Sequence, residues 1–145
     1  MKILVLGSGG REHALAWKIS QSSQLEKLYV APGNAGTAEL AENISLDLND
    51  FKAVGDFTIQ QDIDLVVVGP EQPLVDGIHD YFQSQPTLSN VTVIGPTKEG
   101  AQIEGSKDFA KSFMKRHRIP TAKSASFRTC LLYTSDAAHD LLCVD

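Results

Sequence analysis

The stretch KILVLGSGGREHALAWKI, residues 2–19, decides the fold that the sequence predicts. It opens with a short apolar run at residues 3–6, which is typical of a buried strand and stops at Gly7. A glycine-rich turn follows, and then Leu15 and Ile19 stand four residues apart, the spacing of one helix face. A strand, a glycine turn and a helix in this order indicate the beginning of an α/β domain.

Three further apolar runs, at residues 28–31, 65–68 and 91–94, continue this alternation. Segments of helical length lie between them, at residues 50–61 and 75–82, and residues 84–90 are expected to form an exposed turn. Parallel strands need connections about as long as a helix, and strands that are apolar throughout are buried on both faces. The sequence therefore predicts an α/β fold with a Rossmann-like, doubly wound parallel sheet.

Composition limits the size and the partners of the protein. The chain has 145 residues, 42% of them hydrophobic, which is enough for one compact domain and little more. A net charge of -5 disfavours nucleic acid as a partner, because a nucleic-acid surface needs an excess of basic residues. No apolar run has the length of a membrane span or a signal peptide, so we expect a cytoplasmic protein without a membrane partner.

Residues 97–104 and 106–117 are predicted to form two helices, with Ser106 as the N-cap of the second. Phe109 and Phe113 share one face of the second helix, while lysines recur every four residues on another. This helix is expected to begin a second domain. From about residue 130 the composition changes abruptly: the last sixteen residues contain both cysteines, three Asp and no Lys or Arg. The rest of the chain therefore has no disulfide framework.

The loop after the first strand is the leading candidate for a binding site. Gly9, Gly10, Arg11 and Glu12 open the first helix, where free N–H groups and the helix dipole can receive an anion such as a phosphate. The alternative is that the glycines only make the tight turn. Glu12 occupies the sixth position of the dinucleotide fingerprint, where its bulk obstructs close packing of helix on strand, so nicotinamide and flavin cofactors are disfavoured.

Two more loops follow strands and are candidates for the same site. Asn34, Ala35 and Gly36 can approach a sugar phosphate closely, although an ordinary strand-to-helix turn is the alternative. Glu71 stands between two prolines and suits an amine or a sugar hydroxyl, unless it only favours the N-terminus of the next helix. Because the carboxyl ends of parallel strands meet at one edge of the sheet, the three loops are predicted to converge.

The remaining charged residues give few candidates. Lys107 lies in the first turn of its helix, where it could meet an anion, and the other lysines of that row are interpreted as a solvated face. The four histidines show no metal-ligand spacing, so no metal site built by the protein is predicted. His13 could help to position a ligand, but an ordinary hydrogen-bonded helix residue is the preferred interpretation.

Four motifs in order, GSGGREHALAWK at 7–18, APGNAGT at 31–37, VVGPEQPLVDG at 67–77 and GPTKEGAQIEGSKDFAK at 95–111, closely resemble the phosphoribosylamine–glycine ligase family. The resemblance extends from residue 1 to about residue 129. It implies an ATP-grasp ligase in which an N-terminal Rossmann-like domain helps to hold the phosphoribosyl substrate. It also implies use of ATP and Mg²⁺ (or Mn²⁺) to convert glycine into an acyl phosphate, which the amine of 5-phosphoribosylamine attacks.

The resemblance also assigns roles to individual residues. It places the substrate phosphate or ribose near Gly9, Gly10, Arg11 and Glu12, with Asn34, Ala35 and Gly36 opposite, Glu71 toward the amine, and Lys107 at a nucleotide phosphate. It implies no catalytic residue or metal ligand in this chain, because those belong to a later ATP-grasp domain. The partners are then the small molecules 5-phosphoribosylamine, glycine and ATP, and we expect a monomer.

Three segments follow from this interpretation. Residues 1–104 are expected to form the substrate-binding domain, residues 105–129 the start of a truncated ATP-grasp domain, and residues 130–145 a foreign tail that resembles a translated sequencing adapter. We therefore expect the chain by itself to be inactive. Alternatives are another ATP-grasp enzyme such as a carboxylase, a non-catalytic phosphoribosyl-binding module, and an oxidoreductase.

Overall fold

A computed structural model describes residues 1–124, and its centre is a five-stranded parallel sheet. The strands stand in the order β3-β2-β1-β4-β5, so β1 is central. Their bounds are β1 Lys2–Gly7, β2 Lys27–Pro32, β3 Glu42–Asn43, β4 Leu65–Val68 and β5 Thr92–Ile94. The predicted α/β fold with a Rossmann-like parallel sheet is confirmed.

Helices connect the strands, except between β2 and β3. Their bounds are α1 Gly10–Ile19, α2 Phe51–Gln60, α3 Glu71–Asp76, α4 Ile78–Ser84, α5 Lys98–Gly105 and α6 Lys107–Arg116. A single 3-10 turn, Thr37–Glu39, stands between β2 and β3. None of these helices is long and apolar enough to cross a membrane within the described part of the chain.

Both faces of the sheet are buried by apolar clusters. Alternate residues of each strand point to opposite sides, so β1, β2 and β4 each contribute to both clusters. Leu4 and Leu6 of β1 lie in a cluster with residues of α2 to α5. Ile3 and Val5 lie in a second cluster, which includes Ala16 of α1. Near-continuous apolar strands are thus the direct consequence of two covered faces.

The register brings three strand ends to the same level. Gly7 at the end of β1 pairs with Pro32 at the end of β2, and Leu6 pairs with Val68 at the end of β4. The amide of Gly33 donates to the carbonyl of Gly7 at 3.2 Å, and that of Gly69 donates to Leu6 at 3.0 Å. The loops that follow these strands therefore leave the sheet side by side.

Three details differ from the sequence prediction. Residues 75–82 do not form one helix: Gly77 takes the left-handed conformation at φ 106°, ends α3 and separates it from α4. The short strand β3 was not predicted, because its two polar residues show no apolar pattern. The turn at 84–90 is not exposed throughout, since Leu88 is buried in the core beside α2 and α4.

The described residues divide into two units, Met1–Gly105 and a second that begins at Ser106. In the second unit the side chain of Ser106 accepts a hydrogen bond from the amide of Phe109 at 3.2 Å and is the predicted N-cap of α6. The Lys111 ammonium donates to the hydroxyl of Thr121 at 2.7 Å. The predicted foreign tail and both cysteines lie outside the described residues.

Candidate functional site

A cleft of about 550 Å³ opens where the strand exits meet. The loops after β1 and β4 and the last residue of β2, Pro32, form three of its sides, so these strand exits converge. The fourth side is residues 46–49, the segment before α2. Its lining residues are Gly7, Ser8, Gly9, Glu12, Pro32, Leu46, Asp47, Leu48, Asn49, Pro70, Gln72 and Pro73.

Glu12 lies at the floor of this cleft, and only 6% of its surface is exposed. Its Oε2 accepts a hydrogen bond from the amide of Gly9 at 2.7 Å, so the N-cap donor of α1 is satisfied from the third helical position. Its side chain fills the space over Gly7, where an added Cβ would lie 2.5 Å from Glu12 Cγ, and over Gly69. Glycines on two adjacent strand exits thus make room for this carboxylate.

Arg11 and Asn34 connect the loops to one another. The Arg11 Nη1 donates to the carbonyl of Gly69 at 2.7 Å and joins the start of α1 to the exit of β4. The Asn34 Nδ2 donates to the carbonyl of Ser8 at 2.8 Å and joins the exit of β2 to that of β1. Each side chain crosses from its own loop to the backbone of a neighbouring loop.

The loop after β2 is held by a small polar network. The hydroxyl of Thr37, which is fully buried, donates to the Oδ1 of Asn43 at 2.8 Å and accepts from the amide of Asn34 at 2.8 Å. The Nδ2 of Asn43, on the edge strand, donates to the carbonyl of Asn34 at 2.8 Å. Buried polar groups are stable only when they are paired, so this network fixes the loop.

The predicted site residues take different positions around the cleft. Gly9 and Glu12 line it, and Gly10, Arg11 and Asn34 are next to it in the same loops. Gly36 lies under the ring of His13, where an added Cβ would stand 2.5 Å from Cε1, and Ala35 beside it is exposed. The roles proposed for these residues stay predictions.

Glu71 does not line the cleft, and Lys107 belongs to the second unit. Glu71 is exposed in the first turn of α3, and its neighbours Pro70 and Gln72 line the cleft in its place. Lys107 is exposed as the first residue of α6, in the second unit. Ser8 and Gln72 also line the cleft; both lie in the quoted motifs but were not among the predicted site residues. Residues 46–49 were missed because no motif distinguishes them before the chain is folded.

Charge near the cleft is acidic rather than basic. Glu12 and Asp47 both line it, and the guanidinium of Arg11 bonds a carbonyl group.

Two lysines have a pKa above the ordinary value: a hydrogen bond to Glu42 raises the pKa of Lys27, and one to Asp56 raises that of Lys52. Neither lysine lines the cleft. Among residues 1–124, no group of three His, Cys, Asp or Glu side chains could hold a metal ion.

Comparison with known proteins agrees with this architecture. The family model described as "Phosphoribosylglycinamide synthetase, N domain" matches residues 1–104. The chain belongs to this family. Its members include a phosphoribosylamine–glycine ligase from Nostoc sp., 52% identical over 129 residues, and one from Escherichia coli K12, 50% identical over 129 residues. Each match covers 88% of the chain and 29% of the relative, so the chain spans about a third of the length of these ligases.

Solved structures show the same relationship to the family. The phosphoribosylamine–glycine ligase of Thermotoga maritima superposes with a TM-score of 0.57 at 33% identity, over 85% of the chain and 26% of that protein. The N5-carboxyaminoimidazole ribonucleotide synthetase of the same organism superposes with a TM-score of 0.65 at 17% identity, over 95% of the chain and 36% of that protein. The second likeness concerns the fold alone. Members of the family are ligases of purine biosynthesis.

Proposed function

We propose that the chain supplies the phosphoribosyl-binding part of an ATP-grasp ligase that joins glycine to 5-phosphoribosylamine. In the proposed reaction, the glycine carboxylate attacks the γ-phosphorus of ATP, which releases ADP and gives an acyl phosphate. The amine of 5-phosphoribosylamine then attacks the acyl carbon and releases phosphate, which leaves glycinamide ribonucleotide. Such catalysis depends on positioning and on neutralisation of charge.

The observation that carries this proposal is the convergence of three strand ends on one cleft in a chain of this family. The loops contain Gly9, Gly10, Arg11 and Glu12 after β1, and Asn34, Ala35 and Gly36 after β2. Glu71 starts α3 between Pro70 and Gln72, which line the cleft, and its proposed partner is the amine. We propose that these residues shape the phosphoribosyl site, and that Lys107 meets a phosphate of ATP.

Binding can be tested with isotope-labelled 145-residue protein and ribose 5-phosphate, a stable substitute for the glycosylamine. We expect weak, saturable shifts of the amide resonances of Gly9, Gly10, Ala35 and Gly36 at millimolar ligand. Ribose and inorganic phosphate are the control ligands, and K18M, at an exposed position at the far end of α1, is the control variant. Unchanged resonances around the cleft would remove the support for a phosphoribosyl site.

Catalysis by the chain alone is not expected. The proposed reaction needs a bound Mg²⁺ or Mn²⁺, which neutralises the phosphates of ATP, and residues 1–124 contain no acidic cluster that could hold one. We predict that purified 145-residue protein releases no ADP above background when glycine, ATP, Mg²⁺ and 5-phosphoribosylamine are all supplied. A relative of full length serves as the positive control, and glycine-dependent ADP release by the chain would contradict the prediction.

A further inference from the structure

We propose that Arg11, Glu12 and Asn34 are positioning residues, which hold the three strand exits in place and do not themselves contact the ligand. Together they are called the brace below. This inference rests on the proposed function, since it concerns the same cleft, but it divides the residues of that cleft differently. Other groups in the loops after β1, β2 and β4 would then contact the ligand.

Glu12 occupies the position beside the Gly9 amide, where an anion bound through that amide would lie. A phosphate bound through the amide of Gly9 would have to displace Glu12, because that amide already donates to Glu12 Oε2 at 2.7 Å. A phosphate there would also lie against a carboxylate with 6% exposure, where repulsion between like charges is weakly screened. This side chain also occupies the space over Gly7 and Gly69, where an added Cβ would lie 2.5 Å from Glu12 Cγ. The Gly9 amide is therefore not available to a phosphate while Glu12 holds this position.

Arg11 Nη1 and both polar atoms of the Asn34 side chain already bond backbone groups. Arg11 Nη1 donates to the carbonyl of Gly69 at 2.7 Å, across 58 residues of sequence. Asn34 donates from Nδ2 to Ser8 at 2.8 Å and accepts at Oδ1 from the amide of Thr37 at 3.0 Å. A ligand that captured Arg11 Nη1 or Asn34 Nδ2 would break a bond between loops and leave a carbonyl group near the cleft without that partner.

The bonds of the brace connect the exits of different strands. Glu12 packs on the exits of β1 and β4, Arg11 joins α1 to the exit of β4, and Asn34 joins the exit of β2 to that of β1. The three exits thus move together. Ser8 lines the cleft with an exposed side chain, and its hydroxyl is a better candidate for ligand contact.

The test uses the labelled 145-residue protein, in which hydrogen exchange of the Gly9 amide reports the brace without any ligand. Glutamine at position 12 keeps the length and an accepting oxygen, whereas aspartate is one methylene too short. We expect exchange at Gly9 to be about tenfold faster in E12D than in the wild type, with E12Q in between. Glu26→Gln, at an exposed position before β2, is the matched control and should leave Gly9 unchanged.

Addition of ribose 5-phosphate distinguishes positioning from contact. If the brace positions the loops, the ligand-induced shifts around the cleft follow the protection of the Gly9 amide. Both are largest in the wild type, smaller in E12Q and smallest in E12D. Equal loss of these shifts in E12Q and E12D, with Gly9 still protected in E12Q, would identify Glu12 as a ligand contact and overturn the proposal. So would an unprotected Gly9 in the wild type. If the wild type binds no ligand but Gly9 follows the expected order, the proposed function fails while the brace stands.

Discussion

At the scale of single residues, the cleft depends on glycines that leave space for one carboxylate. A Cβ at Gly69 would overlap the Glu12 side chain, and Glu12 is held by its bond to Gly9. Gly7 adds a second constraint, because its φ of 128° strains any other residue. Gly7 and Gly69, at the ends of two strands, are thus both required by the side chain of Glu12.

Replacing Gly69 by alanine should therefore destabilise the protein. We expect G69A to lower the free energy of unfolding by about 1–3 kcal/mol, because Glu12 must move and lose its hydrogen bond. Urea denaturation measures the difference. G10A is the matched control: a Cβ there meets nothing within 4 Å, and alanine at the start of α1 should be neutral or slightly stabilising. Equal stability of the two variants would contradict the packing of Glu12.

A second residue prediction concerns the hydroxyl of Thr37. T37V keeps the shape but leaves the amide of Asn34 and the Oδ1 of Asn43 without their bonds, so we expect a loss of about 1–3 kcal/mol. Thr58 is equally buried, but its hydroxyl donates only to the carbonyl of Val54 in its own helix. T58V should therefore cost less than about 1 kcal/mol in the same urea titration. A larger loss in T58V would show that the loop network contributes little.

At the scale of elements, helix α2 shows how one polar residue fixes a boundary. Asp50 is the N-cap, and its side chain accepts from the amide of Ala53 at 2.9 Å. This boundary also fixes where residues 46–49 can run, and those residues form one side of the cleft. The cap thus links local helix chemistry to the shape of the candidate site.

Removal of this cap should weaken the helix. We expect D50A to lower the free energy of unfolding by about 0.5–2 kcal/mol, because one amide of the first turn loses its partner. Gln60→Ala, at the exposed last residue of the same helix, is the control and should change stability by less than about 0.5 kcal/mol. Thermal denaturation followed by circular dichroism compares the two, and a cost in Q60A that matches D50A would reject the cap.

At the scale of the whole molecule, the sheet couples two apolar clusters on its opposite faces. Leu4 is fully buried in the cluster with α2 to α5, whereas α1 covers the other face and carries Trp17, the single tryptophan of the chain. Because β1 contributes to both clusters, loss of packing on one face should weaken the other.

This coupling can be tested with L4A. We expect a loss of about 2–5 kcal/mol, with tryptophan fluorescence and circular dichroism showing the same shifted urea midpoint. The control is I59A, since Ile59 is 47% exposed and its truncation creates no cavity. If fluorescence of Trp17 kept the wild-type midpoint while circular dichroism moved, the two faces would unfold separately.

The sequence by itself determined the strand and helix order, because strands buried on both faces must be apolar throughout and the connections must be as long as helices. It also located the three strand exits, since each apolar run stops at a glycine or proline. The break at Gly77 was missed because apolar spacing continues across it, and β3 was missed because its two residues are polar.

Only the tertiary structure decided which groups face the cleft. Residues 46–49 line it because the fold places the segment before α2 beside the ends of the strands, and nothing in their local sequence predicts that. The side chains of Arg11, Glu12 and Asn34 match the family motif, yet each bonds backbone contributed by a strand exit of the folded sheet. A motif fixes which polar atoms are present, but their partners depend on which backbone the fold brings within hydrogen-bonding distance.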